Sequence, residues 1–243
     1  MGLPSTSRPF PGFENLFHLR DPVADRPYRG RIGVGGRQDF AFTRAEALPA
    51  RAVMVTHAMG EALPRDVIWT TMAVPVVVSQ RFIDILLDQR FTGWSTYPVE
   101  VYSKSGDLLP GYHGLSITGR CGLIEPGRSG IVLEHLPGGW IPRFKGLFFD
   151  PASWDGSDFF AETPDPVTGG SGHKFITSEV WIALRKAKVR NVRFERLSEE
   201  EMSTSIYEIG HEHRLPPDYK ERLAQVYRTA DVPIPEDYAD LLS

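Results

Sequence analysis

The chain reads as an α+β protein, an antiparallel or mixed sheet with two repeated strand–helix–strand units packing their helices on it. Short runs dense in β-branched and aromatic residues, RIGV, DFAFT, AVMVT and DVIWT, are bounded by Gly, Pro or Asp and have the length of strands. Two longer stretches switch to a helical period between such runs. These stretches also match each other, about a hundred residues apart, which is the signature of an internal repeat.

Taken in order, residues 1–30 form an arm containing Pro4, Pro9, Pro11, Pro22 and Pro27. Proline removes a backbone donor and fixes φ, so the arm is denied a regular helix or a central strand, and LFHLR (Leu16 to Arg20) is left to pair at a sheet edge. The first unit, 76–101, reads VVVSQRFIDILLDQRFTGWSTYPVEV. Ser79 stands where a helix is capped, and Phe82, Ile85 and Leu86 share one helix face. Gly93 suits a left-handed turn, and YPVEVY alternates as a strand in which Pro98 marks an edge or a bulge. SKSGD is a turn, and GYHGLSITGRCGLI supplies one or two more strands. Residues 125–173 form a long irregular excursion with strands expected only at IVLEHL and GLFF.

The second unit, 175–197, reads FITSEVWIALRKAKVRNVRFERL. Setting Ser79 on Thr177 aligns Val78 with Ile176, Phe82 with Val180, Leu86 with Leu184, Phe91 with Val189 and Trp94 with Val192. Val180, Ala183, Leu184 and Ala187 fall on one helix face, with Arg185, Lys186, Lys188 and Arg190 mostly opposite. Residues 216–229 form a last helix with a stripe of Tyr219, Leu223 and Val226, followed by a proline-broken tail. No linker composition separates the two units, so a single domain over 1–243 is expected.

Composition narrows the function. Net charge is −4 with a pI near 6.0, which offers no basic field for direct nucleic-acid binding. The single cysteine, Cys121, rules out an intrachain disulfide and a cysteine-built zinc site. No apolar run has membrane-spanning length and the first residues lack a secretory pattern, so a soluble cytoplasmic protein with no membrane partner is expected. Gly2 and Thr6 satisfy the loose acylation pattern M-G-x-x-x-[ST], which is read as chance in a Pro-rich start.

Motifs that could carry chemistry are incomplete. Gly33-Val-Gly35-Gly36 resembles a dinucleotide fingerprint, but RQDFAFT after it alternates like a strand, so a hairpin or bulge turn is the reading. Gly169-Gly-Ser-Gly172-His-Lys174 resembles a phosphate loop, yet Phe175 stands where a hydroxyl residue is needed and a strand follows. It reads as a flexible loop. His211 and His213 are weak metal candidates, with only Glu208 or Asp218 nearby as a third ligand. Cys121 reads as a buried thiol in a strand. Neither catalytic residues nor a cofactor are expected.

One charge pattern points to a partner surface. Asp150, Asp155, Asp158, Glu162 and Asp165 interleave with Trp154, Phe159 and Phe160, with no Lys or Arg among them. Aromatics can anchor a partner while acids steer a basic one. These eight residues are the candidate partner-binding site, against the alternative that the aromatics turn into the core.

The patterns VVVSQRFIDILLDQRFTGWSTYPVEVY and KFITSEVWIALRKAKVRNVRFERLSE resemble the immunity proteins of bacterial polymorphic-toxin systems, a group first catalogued as a domain of unknown function. That group similarly pairs a unit ending in a YPVEVY-like strand with an F-I-T…A-L-x-x-A helix across a variable middle. The resemblance covers roughly residues 70 to 200. It implies a cytoplasmic antidote in bacterial competition that occludes a cognate protein toxin, and it carries over no catalytic residue. The rival readings are an enzyme, a hydrolase or a toxin, built on His211, His213 or Cys121, and a structural subunit of a defence or secretion assembly.

Overall fold

Residue order dictates a mixed architecture of fifteen strands and five α-helices among the described residues. The computed structural model describes residues 8–24, 26–32, 37–70, 75–167, 172–236 and 238, excepting the side chains of 37–39. The acylation pattern, the Gly33–Gly36 turn and half of the Gly169–Lys174 loop lie outside these residues.

The strands form three sheets. In the largest, Val53–Met59, Arg29–Ile32, Val67–Thr70, Val76–Ser79, Tyr112–Ile117 and Trp94–Tyr102 pair in that order, and Leu108–Leu109 extends the last. Val53 and Val55 then pair in parallel with Val99 and Val101, which closes the six into a barrel. Period-two alternation fills it. Val77, Val55, Ile68, Tyr28 and Val101 point inward as its core, while Val76 and Val78 point outward. Pro98 therefore sits in a strand paired on both sides. The missing N–H is tolerated because pairing with Tyr112–Ile117 ends at Pro98 and pairing with Val53–Met59 begins at Val99.

The second sheet is open, with the order Arg193–Arg196, Leu16–Arg20, Phe175–Thr177, Phe159–Glu162, Gly119–Cys121. Leu16–Arg20 lies inside it, paired with Phe175–Thr177 on one side and Arg193–Arg196 on the other, and not at an edge. All five prolines of the arm fall outside this run, so every one of its N–H groups is available. The third sheet is the hairpin Gly130–Leu136 with Gly139–Lys145, plus Glu201–Ser203. IVLEHL is a strand of this hairpin, but GLFF is not a strand: Leu147 and Phe149 are buried in the connection that follows, and the excursion's further strand is Phe159–Glu162.

Helix Gln80–Asp88 starts at Ser79, whose hydroxyl accepts from the Phe82 N–H, and it leaves through left-handed Arg90 and Gly93. Helix Ser178–Lys186 starts after Thr177 and leaves through left-handed Lys188 and Asn191. Phe82 and Leu86 meet Val180 and Leu184 in one core between the barrel wall and the open sheet, together with Val78, Trp69, Phe159 and Ile176. Burial of each such large apolar side chain contributes about 2 kcal/mol. RQDFAFT is a helix, Arg37–Thr43, rather than a strand; the side chain that matters is Phe42, which packs on Tyr97 and Val53 at the barrel's end. The last helix is Tyr219–Ala230, and it buries Tyr219, Leu223 and Tyr227 against Phe144 of the hairpin; Val226 stays half-buried.

The open sheet and five consecutive barrel strands share one strand order and one sequence of pairing senses: antiparallel three times, then parallel. Two buried aspartates sit alike between them. The Asp66 main-chain oxygen accepts from the Ser79 N–H, and its carboxylate accepts from the Arg190 N–H (2.8 Å) and from Arg81 (2.8 Å). The Asp158 main-chain oxygen accepts from the Thr177 N–H, and its carboxylate accepts from the Thr92 N–H (2.9 Å) and from Arg8 (2.5 Å). Each aspartate thus ties the start of one helix to the turn that follows the other.

Candidate functional site

The acidic and aromatic residues of the excursion do not form a surface. Phe159 and Phe160 are wholly buried strand residues, Trp154 packs beside Phe149 and Phe160, and Asp158 is the buried latch described above. Glu162 and Asp165 are buried as well. Only Asp150 and Asp155 are exposed, and both bind backbone: Asp150 accepts from the Ala152 N–H, Asp155 from the Ser157 N–H and from that of Arg120 on a neighbouring strand. Acids can be buried here because each one meets donors. The Glu162 carboxylate takes the Ile124 N–H at 2.8 Å, Arg214 at 3.3 Å and His173 Nδ1–H at 2.8 Å. Asp165 lies 3.7 Å from Arg214 and 3.4 Å from His213. His211 and His213 flank Asp165 with Arg214 already beside it, and no group of three or more His, Cys, Asp or Glu spaced for a metal exists among the described residues.

What the fold does assemble is a row of ionisable side chains across one end of the open sheet. Glu162 ends one strand, His173 and Lys174 precede the next, and His18 and Arg20 lie on the third. Glu200 follows the last strand. His18 Nδ1 meets both Glu200 oxygens at 2.8 and 3.0 Å, and Arg20 meets the same carboxylate at 3.0 Å. A carboxylate only accepts, so Nδ1 of His18 and of His173 each carries a proton and the rings are held in one orientation. The two rings stand edge to face at 5.0 Å. Burial pushes His18 down to about 4, so it is neutral at pH 7. Burial pushes the Glu200 carboxyl up, but His18 and Arg20 outweigh it and leave it below its ordinary value.

Beside this row opens a cavity of about 470 Å³, bordered by His18, Arg20, Trp69, Lys174, Glu200 and Met202. Lys174 is only 4% exposed. Its ammonium donates to the Gly172 carbonyl and lies 5.5 Å from the centre of the Trp69 ring. Burial pushes it down to about 8. Sequence reading took Glu162 for a partner-binding acid and Lys174 for part of a flexible loop, and passed over His18, Arg20 and Glu200, because these residues lie apart in LFHLR, FFAE, GGSGHK and LSEE. The available signal was a His, a Glu or a Lys inside or against an apolar strand, where such residues are seldom left unless paired.

A second concavity, about 780 Å³, lies on the barrel wall between Phe42, Leu48, Pro49, Arg51, Met54 and Glu100. Leu48 is 71% and Met54 50% exposed there. Cys121 is buried, and burial pushes its thiol well above the ordinary value, which leaves it no nucleophile. No helix among the described residues is long and apolar enough to cross a membrane. No protein-family model matches the chain, and no curated protein matches it.

Proposed function

We propose that this chain is a non-enzymatic binding protein of the cytoplasm, an immunity protein that neutralises a cognate bacterial toxin domain by covering it. The observation that carries a binding role is the open apolar concavity on the barrel wall. Leu48 and Met54 stand out into solvent around it, and exposed apolar surface of this kind is characteristic of a docking face. Methionine adapts its shape to a partner, and Arg51 and Glu100 supply a charged rim that fixes orientation. The occupant assigned is an apolar anchor side chain of the toxin domain seated between Leu48 and Met54. The identity of that partner rests on the family resemblance of the two strand–helix–strand segments.

Those two segments we read as copies of one unit. The shared strand order, the left-handed residues at matching places after each helix and the mirrored aspartates support that reading. Under it, each copy places its first strand, Leu16–Arg20 or Tyr112–Ile117, in the sheet of the other.

The test is co-expression with the toxin domain encoded beside its gene. Toxin alone arrests growth, the intact chain restores it, and Leu48→Asp with Met54→Asp loses the protection while melting at the temperature of the parent. Protection that survives the double substitution removes this face from the interface, and absence of any protection removes the immunity reading.

A further inference from the structure

We propose that the cavity over Lys174 is a binding site for a small oxyanion-bearing molecule, a carboxylate or a phosphate, whose acid group rests against the Lys174 ammonium. An ammonium has three N–H donors. Among the described residues Lys174 uses one, on the Gly172 carbonyl, with the Trp69 ring on another side and no carboxylate within ion-pair distance. Burying a charge with so little compensation is costly, and the cost persists only where something else completes the shell.

The neighbouring acids are committed elsewhere. Asp21 is held by both terminal nitrogens of Arg29 at 2.7 and 2.8 Å. Glu200 is taken by His18 and Arg20, and Glu201 faces Arg143. Arg20 and Arg143, each already paired with a glutamate, also border the cavity, while Trp69, Met202 and Ile206 offer apolar wall to the body of a ligand. The cavity thus has an acid-receiving floor and a lining suited to a few carbons.

The scaffold itself does not need these groups. Carrying the strand pairings of the open sheet onto the barrel, Glu162 falls on Thr70, His173 on Pro75, Lys174 on Val76, His18 on Gly114 and Arg20 on Ser116. The barrel keeps the same strand order and the same pairing senses with no ionisable side chain at any of the five positions. The charged row is thus not something the strand order itself demands.

The experiment uses the full chain and two probes, inorganic phosphate and succinate, against chloride at matched ionic strength. Limited acetylation with acetic anhydride, followed by peptide mass spectrometry, reads the reactivity of Lys174 beside the surface lysines Lys104 and Lys186. The expected result is that one probe or both slow acetylation of Lys174 by at least about tenfold, as occupancy of most sites requires, while the surface lysines are unaffected. Phosphate alone protecting assigns a phosphorylated ligand, and succinate alone assigns a carboxylate. A thermal shift measured with the protective probe should vanish in Lys174→Met, which removes the charge and keeps the length. Protection by neither probe overturns the proposal, as does a thermal shift that persists in Lys174→Met.

Discussion

Replacing Asp158 by alanine should unfold the protein more readily without touching its surface. The side chain accepts from the Thr92 N–H at 2.9 Å, the Thr92 hydroxyl at 3.1 Å, the Thr177 hydroxyl at 3.4 Å and Arg8 at 2.5 Å. It is 8% exposed, so water does not replace these partners well. A net worth of about 1 kcal/mol for each good bond, more for the charged one, gives about 3–4 kcal/mol. Arg8 keeps Glu179 at 2.9 Å and is not stranded, which holds the loss near the lower figure. At about 2–4 °C per kcal/mol for a chain of this length, the midpoint should fall by roughly 6–12 °C. Urea unfolding and a thermal scan would both report it, with Asp155→Ala as the exposed control costing less than about 1 kcal/mol. Asp66→Ala, in the mirrored position, should match Asp158→Ala. If Asp158→Ala and Asp155→Ala prove equally mild, the latch carries no stability and the argument from buried acceptors fails. Charge reversal at Asp158 acts on folding first, so it cannot serve as a probe of partner binding.

Three further outcomes follow from geometry and titration. His18 sits at about 4 in the fold against an ordinary 6.5, so between those values the unfolded chain takes up a proton that the folded one refuses. Stability should be full above about pH 6.5 and fall by roughly 3 kcal/mol towards pH 4, and His18→Gln should flatten that slope in urea titrations run at a series of pH values. Gly93 has φ +82° and an added Cβ would meet the Phe159 carbonyl oxygen at 1.9 Å, whereas Gly106, at φ +91°, has nothing within 4 Å. Gly93→Ala should therefore cost several times the roughly 1 kcal/mol expected of Gly106→Ala, and equal midpoints would discount the close approach. Cys121 should resist a maleimide in the folded protein and react at once in urea; rapid labelling of the native chain would contradict its burial.

The α+β class, most strands and both packed helices were legible because each rests on a local pattern. Val76 to Val78 alternate between two cores, and Ser79 caps the helix after it. Barrel closure was not legible, since the parallel pairing of Val53–Val55 with Val99–Val101 joins distant segments and leaves no mark in either. RQDFAFT alternated like a strand, but its short run ends in a helix whose Phe42 caps the barrel; packing decided where local pattern was ambiguous. The acidic excursion misled for a related reason. Its acids are balanced by Arg8, Arg214 and His173, each distant in sequence or in another element, so a run without Lys or Arg looked uncompensated when it was not. The row at Lys174 was hidden because its members come from four separate segments that only the strand order brings together.

The placement of Leu16–Arg20 bears on how the chain is made. This apolar strand leaves the ribosome long before either of its neighbours, Phe175–Thr177 and Arg193–Arg196. Tyr112–Ile117 by contrast finds Val76–Ser79 and Trp94–Tyr102 already synthesised, so the barrel can close while the nascent chain is still growing. Throughout that interval Leu16, Phe17 and Leu19 are without their sheet, an invitation to holding chaperones or to wrong pairing with another nascent chain. Leu16–Arg20 can take its place in the sheet only once Arg193–Arg196 has been made, and it then enters between two strands synthesised long after it.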